Sequence, residues 1–149
     1  MSPTTTVLVA LLLLVCGCMN PPTPAPVRKP MAVNASFGRT WDAVVAAFKA
    51  RNRTISTDRR SGSVLSGPWA VLESDSSWSD CGTAGANARV MRPDNVHYTV
   101  VVKGDSTAST VIATAVFGVV AGLLVTQCIS KGTWEAEFEA DVKSRAERH

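Results

Sequence analysis

Four cysteines are the residues of this chain best equipped for chemistry: Cys16, Cys18, Cys81 and Cys128. A thiol can be acylated, oxidised to a disulfide or used as a zinc ligand. Zinc needs about four ligands, and the only histidine of a suitable kind in the central part is His97, so no metal or cofactor is expected. As a catalytic base, His97 would need a nucleophile or carboxylate partner, and no motif nominates one. It reads as a half-exposed strand histidine. Asp75 and Asp80 could act as paired carboxylates, but within a Ser-rich stretch they read as solvated. No enzyme is expected from these groups. Lys49, Arg51, Arg53, Arg59 and Arg60 form the one basic cluster. It is either a solvated rim or an electrostatic contact for anionic headgroups or an acidic partner. The formal net charge of +3 is too small and too dispersed for nucleic-acid binding, which shows a concentrated basic face.

The first two cysteines close an apolar run, Val7 to Val15. Its length suits the apolar core of a signal peptide and falls short of a bilayer span. Val15 three positions before Cys18, and Gly17 just before it, resemble the lipobox of bacterial lipoproteins. The resemblance implies a signal peptide over 1–17, cleavage before Cys18 and lipid attached to that cysteine. Cys16 follows the bulky Val15 and is the poorer acceptor. No Lys or Arg precedes the run, which departs from the usual pattern and leaves an uncleaved anchor helix as the alternative. In such lipoproteins an aspartate after the acceptor retains the protein in the inner membrane. Met19 stands there, which favours the outer membrane, facing the periplasm.

Asn20 to Pro30 holds proline at a density that forbids helix and ladder. It is expected to be a polyproline-II tether of roughly 30 Å, within a linker spanning 18–33. A proline-rich ligand for another domain is the alternative. In an oxidising periplasm the remaining pair, Cys81 and Cys128, reads as a disulfide, with two independent thiols as the competing reading.

The elements that must position these residues follow over 34–149, read as one domain. Ser36 can cap a helix whose apolar stripe is Phe37, Trp41, Val44, Val45 and Phe48. Thr54–Thr57 and Ser63–Ser66 predict a hairpin that turns at Gly62 and continues past Gly67-Pro68 toward Val71. Residues 73–89 read as an irregular loop. Val96–Val102 is a strand by its β-branched content, Thr107–Phe117 another, and Leu123–Gln127 a short third. A last helix from Thr133 lays Trp134, Phe138, Val142 and Ala146 on one face. Glu135, Glu139 and Lys143 are expected on the opposite face, the last two as a spaced ion pair. The expected class is α+β: an antiparallel sheet of about five strands with an N-terminal and a C-terminal helix on one face.

The runs Ala35-Ser36-Phe37, Trp41-Asp42-Ala43, Ser61-Gly62 and Cys128-Ile129-Ser130-Lys131-Gly132 resemble small outer-membrane lipoproteins. Their domains are similar to the helix-grip modules of the C subunit of the β-barrel assembly machinery. The resemblance implies the fold and transfers no functional residue. One stretch competes with it. Residues 111–126 are uncharged, and Gly118 and Gly122 are spaced as in membrane-helix packing, so a transmembrane helix is the alternative to strands. The functional expectation is a non-enzymatic envelope lipoprotein that binds or scaffolds another envelope protein. A carrier with an apolar ligand between helix and sheet is the second expectation.

Overall fold

Ser36 opens the first helix as its sequence predicts. Its Oγ accepts from the Arg39 N–H at 3.4 Å, satisfying one of the first-turn donors. In the computed structural model, which describes residues 21–25, 27–71, 77–84, 89–121 and 124–148, this helix (α1) runs Phe37–Ala50. It is preceded by a short strand β1, Met31–Val33. Then come β2 (Ser56–Asp58), β3 (Ser63–Ala70), β4 (Ser79–Asp80), β5 (Thr83–Ala84) and β6 (Arg89–Val90). The long strands β7 (Asn95–Gly104), β8 (Ser109–Ala121) and β9 (Leu124–Ser130) follow, and helix α2 (Thr133–Glu147) ends the order.

The class is α+β, with both helices on one face of an antiparallel sheet. Strand order is β2-β3-β7-β8-β9-β4, and β1 also pairs with β8, so the sheet has seven strands rather than about five. The two unforeseen strands are β1 and β4. They have three and two residues, too few for an alternation of period two to be visible. The β5–β6 hairpin, inside the stretch expected to be an irregular loop, is equally short. Residues 111–121 and 124–126 belong to β8 and β9. Among the described residues, no helix is long and apolar enough to cross a membrane.

Two residues shape the β2–β3 end. Gly62 has φ +71°, and a Cβ there would lie 2.2 Å from the Val102 carbonyl oxygen, so only glycine fits. In β3 the register shifts between Ser66 and Trp69, at the Gly67-Pro68 interruption.

The helix-facing side of the sheet is lined by Val64, Val96, Tyr98, Val100, Ala113 and Phe117. Trp41 of α1 and Trp134 of α2 are both buried against this layer. Rings fill the space between helices and sheet: Tyr98 stacks on Trp134 at 4.1 Å, Trp134 on Phe138 at 4.9 Å, and Phe138 meets Phe48 at 4.7 Å. Each such pair adds about 0.5–1.5 kcal/mol beyond its area burial.

Candidate functional site

Strand β8 is the longest in the sheet, and one of its edges is shared between two short partners. β1 covers residues 109–111 and β9 covers 117–121. Residues 112–116 have no strand on that side. A buried strand edge without partners would strand its N–H groups, at a cost of about 1–3 kcal/mol each. Helix α2 supplies the missing acceptors. Glu139 Oε1 accepts from the Ala113 N–H at 2.7 Å, and Glu135 Oε1 accepts from the Ala115 N–H at 3.1 Å. Spaced one helical turn apart, the two carboxylates match alternate residues of the strand. Alanine at 113 and 115 keeps the sheet surface low enough for the helix to approach.

This overturns the sequence-based placement of these glutamates on a solvated face: both are buried. Lys143 pairs with Glu147 at 2.7 Å, not with Glu139. Glu139 instead pairs with Arg28, whose guanidinium also donates to the Gly132 carbonyl at 2.7 Å. Burial outweighs the Ala113 N–H and the Arg28 charge, and holds the Glu139 carboxyl above its ordinary range.

Arg28 belongs to the proline-rich stretch, which is therefore no free tether. It is a strap laid on the domain. Beyond Arg28, Ala25 shares a groove of about 270 Å³ with Ile112, Val116 and Gln127 at the gap. Further on, the Thr23 N–H donates to Asp80 Oδ2 at 2.9 Å. That bond, with the N–H of Gly82, lowers the Asp80 carboxyl below its usual value. Asp80 is opposite Ile129 in the β4–β9 register, and both point away from the helices because Ser79 and Cys128 point inward. The strap thus starts on the helix side at Glu139 and ends on the outer side at Asp80.

The outer side of the sheet has no second layer among the described residues. Its exposed large apolar side chains are Leu65, Val116 and Val120, at 51%, 37% and 52% exposure. Thr99, Val101, Ile112 and Thr114 lie between them. Within β3, β7 and β8 no Asp, Glu, Lys or Arg interrupts the face until Lys103 at the end of β7; Asp58 of β2 and Asp80 of β4 stand at its two edges. His97 lies on this face opposite Val116, exposed.

Cys81 and Cys128 form a disulfide with Cα atoms 4.2 Å apart. They continue the β4–β9 register by one step, Ser79 opposite Ser130 and Asp80 opposite Ile129. The bond fastens the chain just after β4, whose Asp80 holds the end of the strap, to β9.

The five basic residues have separate surroundings. Arg51 is paired with Asp141 at 2.7 Å and lies over the Phe138 ring. Arg53 lies over Trp69 and Tyr98. Arg59 sits near Phe37 and Trp41, 3.7 Å from Asp42. Lys49 and Arg60 are exposed. Cys16, Cys18 and Asp75 lie outside the described residues. Among the described residues, no group of three or more His, Cys, Asp or Glu is placed to hold a metal ion. The chain matches no known family model and no curated protein.

Proposed function

We propose that this chain is a non-enzymatic lipoprotein of the bacterial cell envelope, carried by lipid on Cys18 at the outer membrane and facing the periplasm, where it binds or scaffolds another envelope protein. The observation that carries this reading is the strap. Thr23 and Arg28, five and ten positions after Cys18, are fastened to the domain at Asp80 and Glu139, so a lipid on Cys18 would hold the folded body close to the membrane. A tethered binder gains from that proximity through its raised local concentration. The Cys81–Cys128 bond suits an oxidising compartment. The helix side offers a partner mixed exposed charges, including Arg39, Asp42, Lys49 and Glu137. The carrier alternative has less support, since the rings of Phe48, Tyr98, Trp134 and Phe138 occupy the layer a ligand would need.

Two measurements test the proposal. Cys18→Ser should abolish lipid labelling and leave an uncleaved precursor, whereas Cys16→Ser should do neither. Crosslinking in intact cells followed by mass spectrometry should then capture an envelope protein with the native chain. Labelling that survives Cys18→Ser and disappears with Cys16→Ser would overturn the acceptor assignment. A chain that crosslinks to no envelope protein would overturn the binding role.

A further inference from the structure

Three features converge on the outer side of the sheet. The face there is apolar and uncharged across its middle strands, in a chain whose helix side is charged. The strap ends on that same side, where Thr23 bonds to Asp80 beside Ile129. Thr23 stands five positions after Cys18, which allows at most about 18 Å of extended chain.

We propose that the outer face of the sheet lies against the bilayer surface, with Leu65, Ile112, Val116 and Val120 meeting the lipid interface and the helices turned toward the periplasm. The inference rests on the Cys18 anchor proposed above and adds an orientation to it. A lipid on a leash this short holds the domain within about one domain radius of the membrane. Whichever side faces the lipid is then partly dehydrated. The helix side would take the exposed charges of Arg39, Asp42, Lys49 and Glu137 partly out of water, which costs free energy for every charge left without a partner. The outer sheet face brings threonines and aliphatic side chains, which lose little by leaving water and gain by it. Most of its backbone groups are already paired in the ladders of β3, β7, β8 and β9, and at the gap in β8 the Ala113 and Ala115 N–H groups bond to Glu139 and Glu135, so dehydration costs these groups little. A second copy stacked sheet to sheet is the competing occupant. It would not use the exit point of the strap, so the observations favour the membrane.

The test uses the mature lipidated protein in vesicles of phosphatidylethanolamine and phosphatidylglycerol. Cysteine is introduced at one exposed position per variant and spin-labelled: Thr114→Cys on the outer face, or Ala140→Cys on α2. Collision with a water-soluble nickel chelate is compared at the two sites. The label at Thr114 should be several-fold less accessible in vesicles, while the label at Ala140 stays open. Adding Val116→Asp to the Thr114→Cys variant should restore access without loss of the lipid. Equal access at both sites on lipidated, vesicle-bound protein overturns the orientation and leaves the anchor standing. Protection at Thr114 that persists without vesicles and rises with protein concentration overturns it in favour of a second copy. A mature chain whose Cys18 peptide carries no lipid mass removes the anchor itself and the orientation with it.

Discussion

Glu139 joins three parts of the architecture: helix α2, strand β8 and the strap. One oxygen completes the hydrogen bonding of β8, and the other holds the strap through Arg28. Glu139→Ala would leave the Ala113 N–H buried without an acceptor and should cost about 1–3 kcal/mol or more. Glu139→Gln keeps an acceptor for that N–H and should cost less. Urea titration of the two variants at neutral pH checks the order; an equal loss in both would mean the carboxylate acts only through its charge. The sign of the pH dependence follows from the raised carboxyl. The folded chain binds this proton more tightly than the unfolded chain does. Its contribution therefore falls as pH rises from 4.5 through the raised value, and Glu139→Gln should remove that component. At the same scale, Gly62→Ala sets a Cβ against the Val102 carbonyl at positive φ and should cost on the order of 1–3 kcal/mol, read from the shift in urea midpoint.

At the level of elements, the strap and the second helix make separate predictions. The strap's outer end depends on ionised Asp80. Because that carboxyl is depressed, the contact is fully present above the ordinary value of 3.8 and fades as pH falls below it. The protection of the Thr23 amide, its exchange rate compared with an unstructured peptide at the same pH, should be lost over that acid range and be absent at every pH in Asp80→Ala. Helix α2 is held by its rings: Trp134→Ala, which removes the stacks on Tyr98 and Phe138, should cost about 3–5 kcal/mol by chemical denaturation. A loss under about 1 kcal/mol would mean the stripe is not what fixes the helix. Both helices were legible in the sequence because apolar stripes and the Ser36 cap are local signals. So were β7 and much of β8, from their β-branched runs. The burial of the two glutamates is not legible in the sequence, for a physical reason. Periodicity sorts residues by polarity, and it sends a carboxylate to solvent unless an unpaired strand edge waits beneath it. That edge exists only because β1 and β9 divide β8 between them, and β1 is too short to read. The strap escaped for a related reason: proline density excludes regular structure but says nothing about docking by Arg28 and Thr23.

Over the whole molecule, the disulfide and the split edge of β8 do the same task for two different segments of the chain. The N-terminal segment is tied by Arg28 and by β1, while the loop before β7 is tied through Cys81 to β9. Without these ties the sheet would rest on its central hairpins, because β4 contributes only two residue pairs to the ladder. The Cys81–Cys128 bond closes a loop of 47 positions, so it should restrict the unfolded chain by about 4 kcal/mol on the entropy model. Replacing both cysteines by alanine should therefore lower unfolding stability by about that amount, since the two small side chains leave the β4–β9 register intact. The entropic origin makes a further distinction. Loss through the unfolded state leaves the native contacts of α1, β7 and α2 unchanged, so hydrogen-exchange protection should drop by one common factor across the core. If protection instead falls only at β4, β9 and the strap, the bond acts by holding one edge locally, and the domain does not unfold as a single unit around it.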